Sequence, residues 1–477
     1  MNKTAKSSAS KRVASLLDEN SFVEIGGSIT ARSTDFNLSA ADAPSDGVIT
    51  GYGVIDSSLV YVYSQDASVL GGSVGEMHAR KIAALYDMAL KMGAPVIGLI
   101  DCAGLRLQEA TDALNAFGEI YRKQALASGV IPQITAVFGN CGGGMAVAAG
   151  LSDFTFMESE KAKLFVNSPN ALEGNTADKN DTSCSAFQSE KAGNVDFVGT
   201  EKEILAGIRQ LVSLLPENNE DNSYAECTDD LNRSIADISA VSKDAAAVLT
   251  RIADGNLFME TKAAYAKDMV TGFLRLNGQT VGAVANREAI LDESGKPVET
   301  FGALLSADGC EKAAAFVRIC DAFEIPVLTL TNAEGYKADL ENEKRIAKAA
   351  ASLTYEFASA TVAKVNLITG KAFGNAFNVM NSKACGADFT YAWEGAKVGL
   401  MDSKLAAKII YADKEGKEIL EKAKEFEEIQ SGVLSAARRG YVDTVIAPED
   451  TRKYLIGAFE MLFSKNESIP AKKHGAV

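Results

Sequence analysis

Residues 81–105, KIAALYDMALKMGAPVIGLIDCAGL, and residues 312–336, KAAAFVRICDAFEIPVLTLTNAEGY, decide how the chain is organised. The first opens with Ile82, Leu85, Tyr86, Ala89 and Leu90 at the three- and four-residue spacing of one helix face. A proline follows, Pro95 or Pro326, where a missing N–H costs least, and then an apolar run with strand character that ends near Gly104 or Gly335. Each landmark recurs 231 positions later. The same shift carries Gly139 of GNCGGGMAV onto Gly370 of GKAFGNAFN, each behind a β-rich run.

Working outward, LLDENSFVE from Leu16 echoes RIADGNLFME from Arg251, and TGYGVIDSSLVYV from Thr50 echoes TGFLRLNGQTVGAV from Thr271. Downstream, SDFTF at Ser152 matches ADFTY at Ala387 with a shift of about 235. Collinear matches of this kind predict a tandem duplication, each copy alternating short Gly-bounded strands with Ala/Lys/Glu-rich helices in an α/β layered domain. The expected division is a first domain over 1–170, a linker over 171–245 and a second domain over 246–477. The linker assignment rests on Asn/Asp/Glu/Ser-rich stretches such as PENNEDNSYAE, interrupted by one helical stretch, TEKEILAGIRQLVSLL.

Composition narrows the function classes. The 477 residues are 47% hydrophobic and 23% charged, an ordinary folded, soluble balance. A net charge of −15 without any clustered Lys/Arg block argues against nucleic acid. Seven cysteines with no CxxC spacing fit neither a disulfide framework nor a zinc ribbon, and a reducing cytoplasm suits them. No metal is expected. Neither an apolar leader nor an apolar run of about 18 residues occurs, so secretion and membrane spanning are not expected. With only His78 and His474, the latter in a lysine-rich tail expected to fray, histidine triads and multi-His sites are nearly excluded.

Candidate chemistry lies in the glycine turns. GNCGGGM at 139–145 and GKAFGNA at 370–376 place small residues where a strand becomes a helix, and adjacent N–H groups at a helix start can hold a developing oxyanion. Close helix–sheet packing or a degenerate dinucleotide turn would read the same way in one copy; recurrence in both favours two oxyanion holes. SVLGGSVGEMHARKI, from Ser68, joins a turn at Gly71, Gly72 and Ser73 to a helix with His78, Arg80 and Lys81. That segment suits either phosphate binding or a plain loop with a solvated basic face. DCAGLRLQE at 101–109 puts Arg106 and Glu109 just past an apolar strand, at a ligand-binding edge or as a surface pair. ALKMG, from Ala89, looks like a biotin-attachment sequence, but it lies in the repeated helix, so Lys91 reads as a solvated helix residue.

LLDENSFVE, DGVITGYGVI, VYSQD, LGGSVGEMHARKI, LRLQEA, DGCEKAAAFVRICDAFEIP, KAFGNAFNVM and ADFTYAW resemble the carboxyltransferase subunits of biotin-dependent acyl-CoA carboxylases and decarboxylases. The nearest types are the propionyl-CoA carboxylase β subunit and the methylmalonyl-CoA decarboxylase α subunit. The resemblance covers most of 10–165 and 250–440 and implies two crotonase-type (ClpP/crotonase-like) β/α domains. It implies transfer of a carboxyl group between carboxybiotin on a separate carrier and a short acyl-CoA, propionyl- or methylmalonyl-CoA, with no side-chain base. By position, Gly143 and Gly144 would polarise the thioester and Asn375 and Ala376 the biotin carbonyl. Gly71, Gly72, Ser73, His78, Lys81 and Arg106 would line the CoA side, and Asn378 the acyl-selective position.

The resemblance also implies a homo-oligomer, a hexamer with its site across a dimer interface. Its partners would be a biotin carboxyl carrier protein and a biotin carboxylase or membrane decarboxylase subunit, with a cytoplasmic location that is peripheral to the membrane in the latter case. The chain departs from the family at Asn375, within a usual Gly-Gly-Ala run, at Glu334–Tyr336 in place of PGF, and at Asn378 in place of a frequent Asp. Two other readings follow from these residues: a non-catalytic scaffold subunit, and a biotin-independent crotonase-like acyl-CoA enzyme. The latter would need a glutamate base beside the Gly143 loop.

Overall fold

The computed structural model describes residues 7–32, 43–470 and 474. The polar start before Ser7 and all of the last seven residues except His474 lie outside the described residues. The chain divides into two compact units, Met1–Ser223 and Tyr224–Val477.

In the first unit, helix α1 (Ser8–Leu16) precedes strands β1 (Val23–Ile25), β2 (Val48–Ile55) and β3 (Ser58–Gln65). Helix α2 (Glu76–Met92), β4 (Val96–Cys102), α3 (Ala110–Ala127), β5 (Gln133–Gly142) and α4 (Gly144–Gly150) follow, then β6 (Phe154–Glu158), β7 (Lys163–Phe165), β8 (Phe197–Gly199) and α5 (Glu201–Leu214). The sheet runs β1-β2-β3-β4-β5-β6-β8, with β7 added against the far end of β5. β1, β2 and β3 pair antiparallel, and every later pairing is parallel.

The local reasons are those expected of these residue types. α2 buries Ala79, Ile82, Leu85, Tyr86 and Ala89 and is closed by Gly93 in the left-handed region at φ 62°. β4 is buried along nearly its whole length, as a strand covered on both faces must be, which is why it reads as a continuous apolar run. α5 is held at its start by Thr200 and Glu203, each capping the other's end of the first turn, and it buries Ile204, Ile208 and Leu211.

The second unit repeats the plan. Helix α6 (Ala245–Ile252) precedes β9 (Phe258–Thr261), β10 (Met269–Leu276) and β11 (Gln279–Asn286). An added hairpin, β12 (Ala289–Leu291) and β13 (Pro297–Thr300), leads through β14 (Leu304–Leu305) to α7 (Ala307–Ala322), β15 (Val327–Ala333), β16 (Gly335–Tyr336), α8 (Leu340–Glu343) and α9 (Ile346–Ser359). Then come β17 (Lys364–Phe373), α10 (Gly374–Val379), β18 (Phe389–Trp393), β19 (Lys397–Gly399), α11 (Ser403–Ile410), α12 (Lys417–Phe426), α13 (Val433–Arg438), β20 (Thr444–Ile446) and α14 (Thr451–Met461). The sheet order β9-β10-β11-β15-β17-β18-β20, with β19 against β17, is that of the first unit.

The 171–245 segment is divided between the units. Its helix α5 occupies in the first unit the place that α14 holds in the second, after the last strand, while residues from Tyr224 onward belong to the second unit. Lys91 is exposed on α2. All seven cysteines are free. No helix among the described residues is long and apolar enough to cross a membrane.

Candidate functional site

The turn at Gly71–Ser73 is rigidly built. Gly71 and Gly72 take φ of 67° and 66°, and a Cβ on Gly72 would stand 2.1 Å from the Asp101 carbonyl oxygen, so only glycine fits there. Ala103 N–H donates to the Gly71 carbonyl at 3.0 Å. Ser73 holds the turn from within, its Oγ donating to the Leu70 carbonyl at 2.7 Å.

Behind the turn lies a buried polar network whose hub, Asp46, gave no signal in the sequence. Arg106 donates to the Asp46 carboxylate, to Glu109 Oε1 at 2.8 Å and to the Ser73 carbonyl at 2.7 Å, with its guanidinium fully buried. Gly75 makes this possible, because a Cβ there would meet Arg106 Nη1 at 2.3 Å. Glu109 in turn accepts from the Glu76 N–H at 2.6 Å, placing negative charge at the start of α2. Burial pushes the Asp46 carboxyl up, and the Arg106 charge pulls against it.

His78 belongs to the same network and has no exposed surface. Its N–H donates to Asp46 Oδ2 at 2.6 Å, its Nδ1 lies 2.9 Å from the Asp46 carbonyl oxygen, and its Nε2 lies 3.1 Å from Gln65 Nε2. Burial, with Arg106 and Lys81 nearby, holds the imidazole well below its usual range, hence neutral. Lys81 is 5% exposed and donates to the carbonyl and hydroxyl of Ser45 at 2.9 and 2.7 Å and to the Val48 carbonyl. Burial pulls its ammonium down to about 8. Neither residue offers a cation to a phosphate; both tie the 45–48 segment to α2. Arg106 and Glu109 do pair, but in the interior rather than on the surface. Lys312, which is Lys81 shifted by 231, repeats the arrangement by donating to the carbonyls of Lys262, Tyr265 and Met269 at 2.8, 2.8 and 2.7 Å.

At the end of β5 the chain turns through Gly143 (φ 56°, ψ −119°) into α4. The Gly143 N–H donates to the Phe165 carbonyl at 2.9 Å, so it is engaged within the protein. The amides of Gly144 and Met145 are at the first two positions of the helix, where the helix itself supplies no acceptor. Gly144 and Met145 thus stand at the open start of α4, one residue on from the Gly143–Gly144 pair read from the sequence, because the last residue of the added strand β7 accepts the Gly143 N–H. Tyr121 steadies the turn by donating to the Gly144 carbonyl at 2.8 Å.

The corresponding turn in the second unit follows β17. Gly374 (φ 57°) starts α10, and Asn375 and Ala376 complete its first turn. Here a cavity of about 1010 Å³ opens, lined by Gly374, Asn375, Phe377 and Asn378 from α10, by Leu400 and Ile410, and by Phe426 and Ile429 across from them. Asn375 and Asn378 are exposed to it, whereas the Ala376 side chain is buried beneath. The structure thus brings the second-unit residues together at one cavity. In the first unit it groups Ser73, His78, Lys81 and Arg106 in the interior scaffold.

Comparison with known proteins follows from this duplicated arrangement. The carboxyl transferase domain family matches residues 2–477. The chain belongs to that family. This carboxyl transferase is 37% identical to the methylmalonyl-CoA decarboxylase subunit alpha of Propionigenium modestum, over 99% of this chain and 93% of that protein. It is 38% identical to the propionyl-CoA carboxylase beta chain of Roseobacter denitrificans, over 98% and 93%. The hexameric transcarboxylase 12S, solved with methylmalonyl-coenzyme A and methylmalonic acid bound, superposes with a TM-score of 0.91 at 33% identity, covering 98% of this chain and 92% of that one. The carboxyl transferase therefore has the duplicated crotonase-like fold and is an enzyme of the biotin-dependent acyl-CoA carboxyltransferase type. Its family members are subunits of multi-subunit complexes.

Proposed function

We propose that this chain moves a carboxyl group between biotin on a separate carrier protein and a short acyl-CoA, with propionyl- and methylmalonyl-CoA as the pair. The observation that carries the reading is the recurrence, at the ends of β5 and β17, of a strand that turns through a left-handed glycine into a short helix. Two anions must be stabilised in such a transfer, a thioester enolate and a ureido oxyanion, and two helix starts offer two sets of backbone donors. In the first unit the donors are Gly144 with Met145; in the second they are Asn375 with Ala376, the same two positions under the shift of 231.

The second-unit cavity fits biotin. Its walls combine aromatic and aliphatic side chains and the charged Lys383, Glu425 and Arg439 with the amides of Asn375 and Asn378 on α10, which suit an aliphatic tail that carries a ureido ring. Biotin, when bound, supplies a ureido nitrogen that carries the carboxyl group. The chain's own residues orient that ring, exclude water around it through Phe377 and Phe426, and hold negative charge at the helix start. The acyl-CoA side is the Gly144 turn, kept rigid by Tyr121. Names and bound ligands of the relatives support the acyl group, and in this reading the chain works as a hexamer served by a biotin carboxyl carrier protein, with a biotin carboxylase or a membrane decarboxylase subunit.

Decarboxylation of methylmalonyl-CoA and of malonyl-CoA by the purified chain, with free biotin as acceptor, tests the reading. Biotin-dependent turnover that favours methylmalonyl-CoA is expected. Binding of both esters without turnover of either would contradict it.

A further inference from the structure

The two helix starts differ at one telling position. Under the shift of 231, Gly143 and Gly144 correspond to Gly374 and Asn375. At Gly144 no side chain is accommodated, since a Cβ would lie 2.8 Å from Tyr121 Oη and 3.0 Å from the Phe117 ring. The buried faces of α3 (Ala113, Ala116, Phe117, Ile120) and α9 (Ile346, Ala349, Ala350, Leu353) match with the smaller Ala350 and Thr354 in the places of Phe117 and Tyr121, and the second copy carries a carboxamide that is exposed to the cavity. Asn378, three residues on, shares that face of α10.

Other polar side chains line the cavity as well, among them Gln430, Tyr411 and Tyr441. Lys383 pairs with Asp443, Glu425 accepts from Lys422 at 2.6 Å, and Arg439 Nη1 donates to the Ser435 carbonyl at 3.2 Å. Asn378 Oδ1 accepts from Ser382 Oγ at 3.2 Å, which leaves its N–H groups for whatever the cavity holds. The Asn375 carboxamide is engaged by no described residue. What the α10 wall offers a ligand is therefore amide chemistry, donor and acceptor side by side. That complements a cyclic urea, whose N–H and C=O groups share one edge.

We propose that the Asn375 side chain is a specificity-determining group for the cyclic urea in the second-unit cavity, with Asn378 completing the amide pair. This rests on the assignment of that cavity to biotin. The first unit, with bare Gly144 at the matching position, has no such group, so selection of the ureido ring is a property of the second copy alone.

Calorimetric titration of the full chain with free biotin, with desthiobiotin and with methylmalonyl-CoA tests it, in wild type, Asn375→Ala and Asn378→Ala. Loss of a side-chain hydrogen bond predicts that Asn375→Ala weakens biotin and desthiobiotin alike by about three- to tenfold, since both retain the urea, and leaves methylmalonyl-CoA affinity unchanged. Asn378→Ala should act in the same direction. Unchanged biotin affinity in Asn375→Ala, or an equal loss for all three ligands, would overturn the inference while leaving the biotin assignment standing. No biotin binding by wild type that still binds methylmalonyl-CoA would overturn the assignment itself.

Discussion

Replacing Lys312 by methionine tests whether the duplicated lysines are structural ties. Lys312 is 4% exposed and holds three carbonyls, those of Lys262, Tyr265 and Met269, all within 2.8 Å. Burial pulls its ammonium from the usual 10.5 down to about 7; the Glu260 and Asp268 carboxylates push it back up, while Arg287 and Lys262 add to the fall. Two effects then compete. Methionine keeps the aliphatic packing but strands buried carbonyls, at about 1–3 kcal/mol for each that finds no other donor. Wild type bears the cost of burying a charge, and that cost depends on pH.

Because the folded value lies below the unfolded one, the unfolded chain binds the extra proton between pH 7 and 10.5, and wild-type stability rises with pH across that window. The fall from 10.5 to about 7 corresponds to on the order of 5 kcal/mol in total. Thermal unfolding of wild type and Lys312→Met at half-unit steps from pH 7 to 10 reads this directly, since groups common to both cancel in the difference. The wild-type advantage should be largest near pH 10 and shrink steadily toward pH 7, by roughly 2–4 °C for each kcal/mol lost. A difference that is flat with pH, or that grows as pH falls, would refute the reasoning.

Two further outcomes follow from the first-unit network. Arg106→Met leaves Asp46 buried without its cation and should cost about 3–5 kcal/mol in chemical denaturation. The loss should be larger at pH 8 than at pH 5, because a carboxyl already pushed up by burial is tolerated best when protonated. His78, held neutral by burial, should show neutral-imidazole nitrogen shifts in selectively labelled protein well below pH 6.5, and the chain should lose stability as pH drops under that value. A His78 titration near 6.5 would contradict the buried network.

The repeat was legible because duplication preserves spacing: helix, proline and strand recur with one shift, and the sheets carry the same order. The glycine turns were legible too, since Gly143 and Gly374 take φ of 56° and 57°, a region that favours glycine, and Gly143 adds a ψ of −119°. What misled was charge. His78 and Lys81 read as a phosphate site or a solvated face, and Arg106 as a ligand-edge or surface residue, because sequence does not show that Asp46, 32 to 60 residues away, and the Ser45 carbonyl already engage them. The engaged Gly143 amide was equally invisible, as its acceptor lies on β7, a three-residue strand with no pattern of its own. The place of α5 was hidden by the acidic composition around it, although Lys312 in the matching copy shows that conserved spacing can mark a structural tie.

The central claim is that backbone donors at the two helix starts hold the charge that develops during transfer. Asn375→Pro removes one such N–H in a first helical turn that tolerates proline, and Asn375→Ala removes only the side chain, so their comparison isolates the backbone donor. The deciding measurement is kcat for biotin-dependent decarboxylation of methylmalonyl-CoA by these two variants. A loss of about 10²–10³ in the proline variant relative to the alanine one, with methylmalonyl-CoA still bound, is predicted. Equal kcat values would contradict the account.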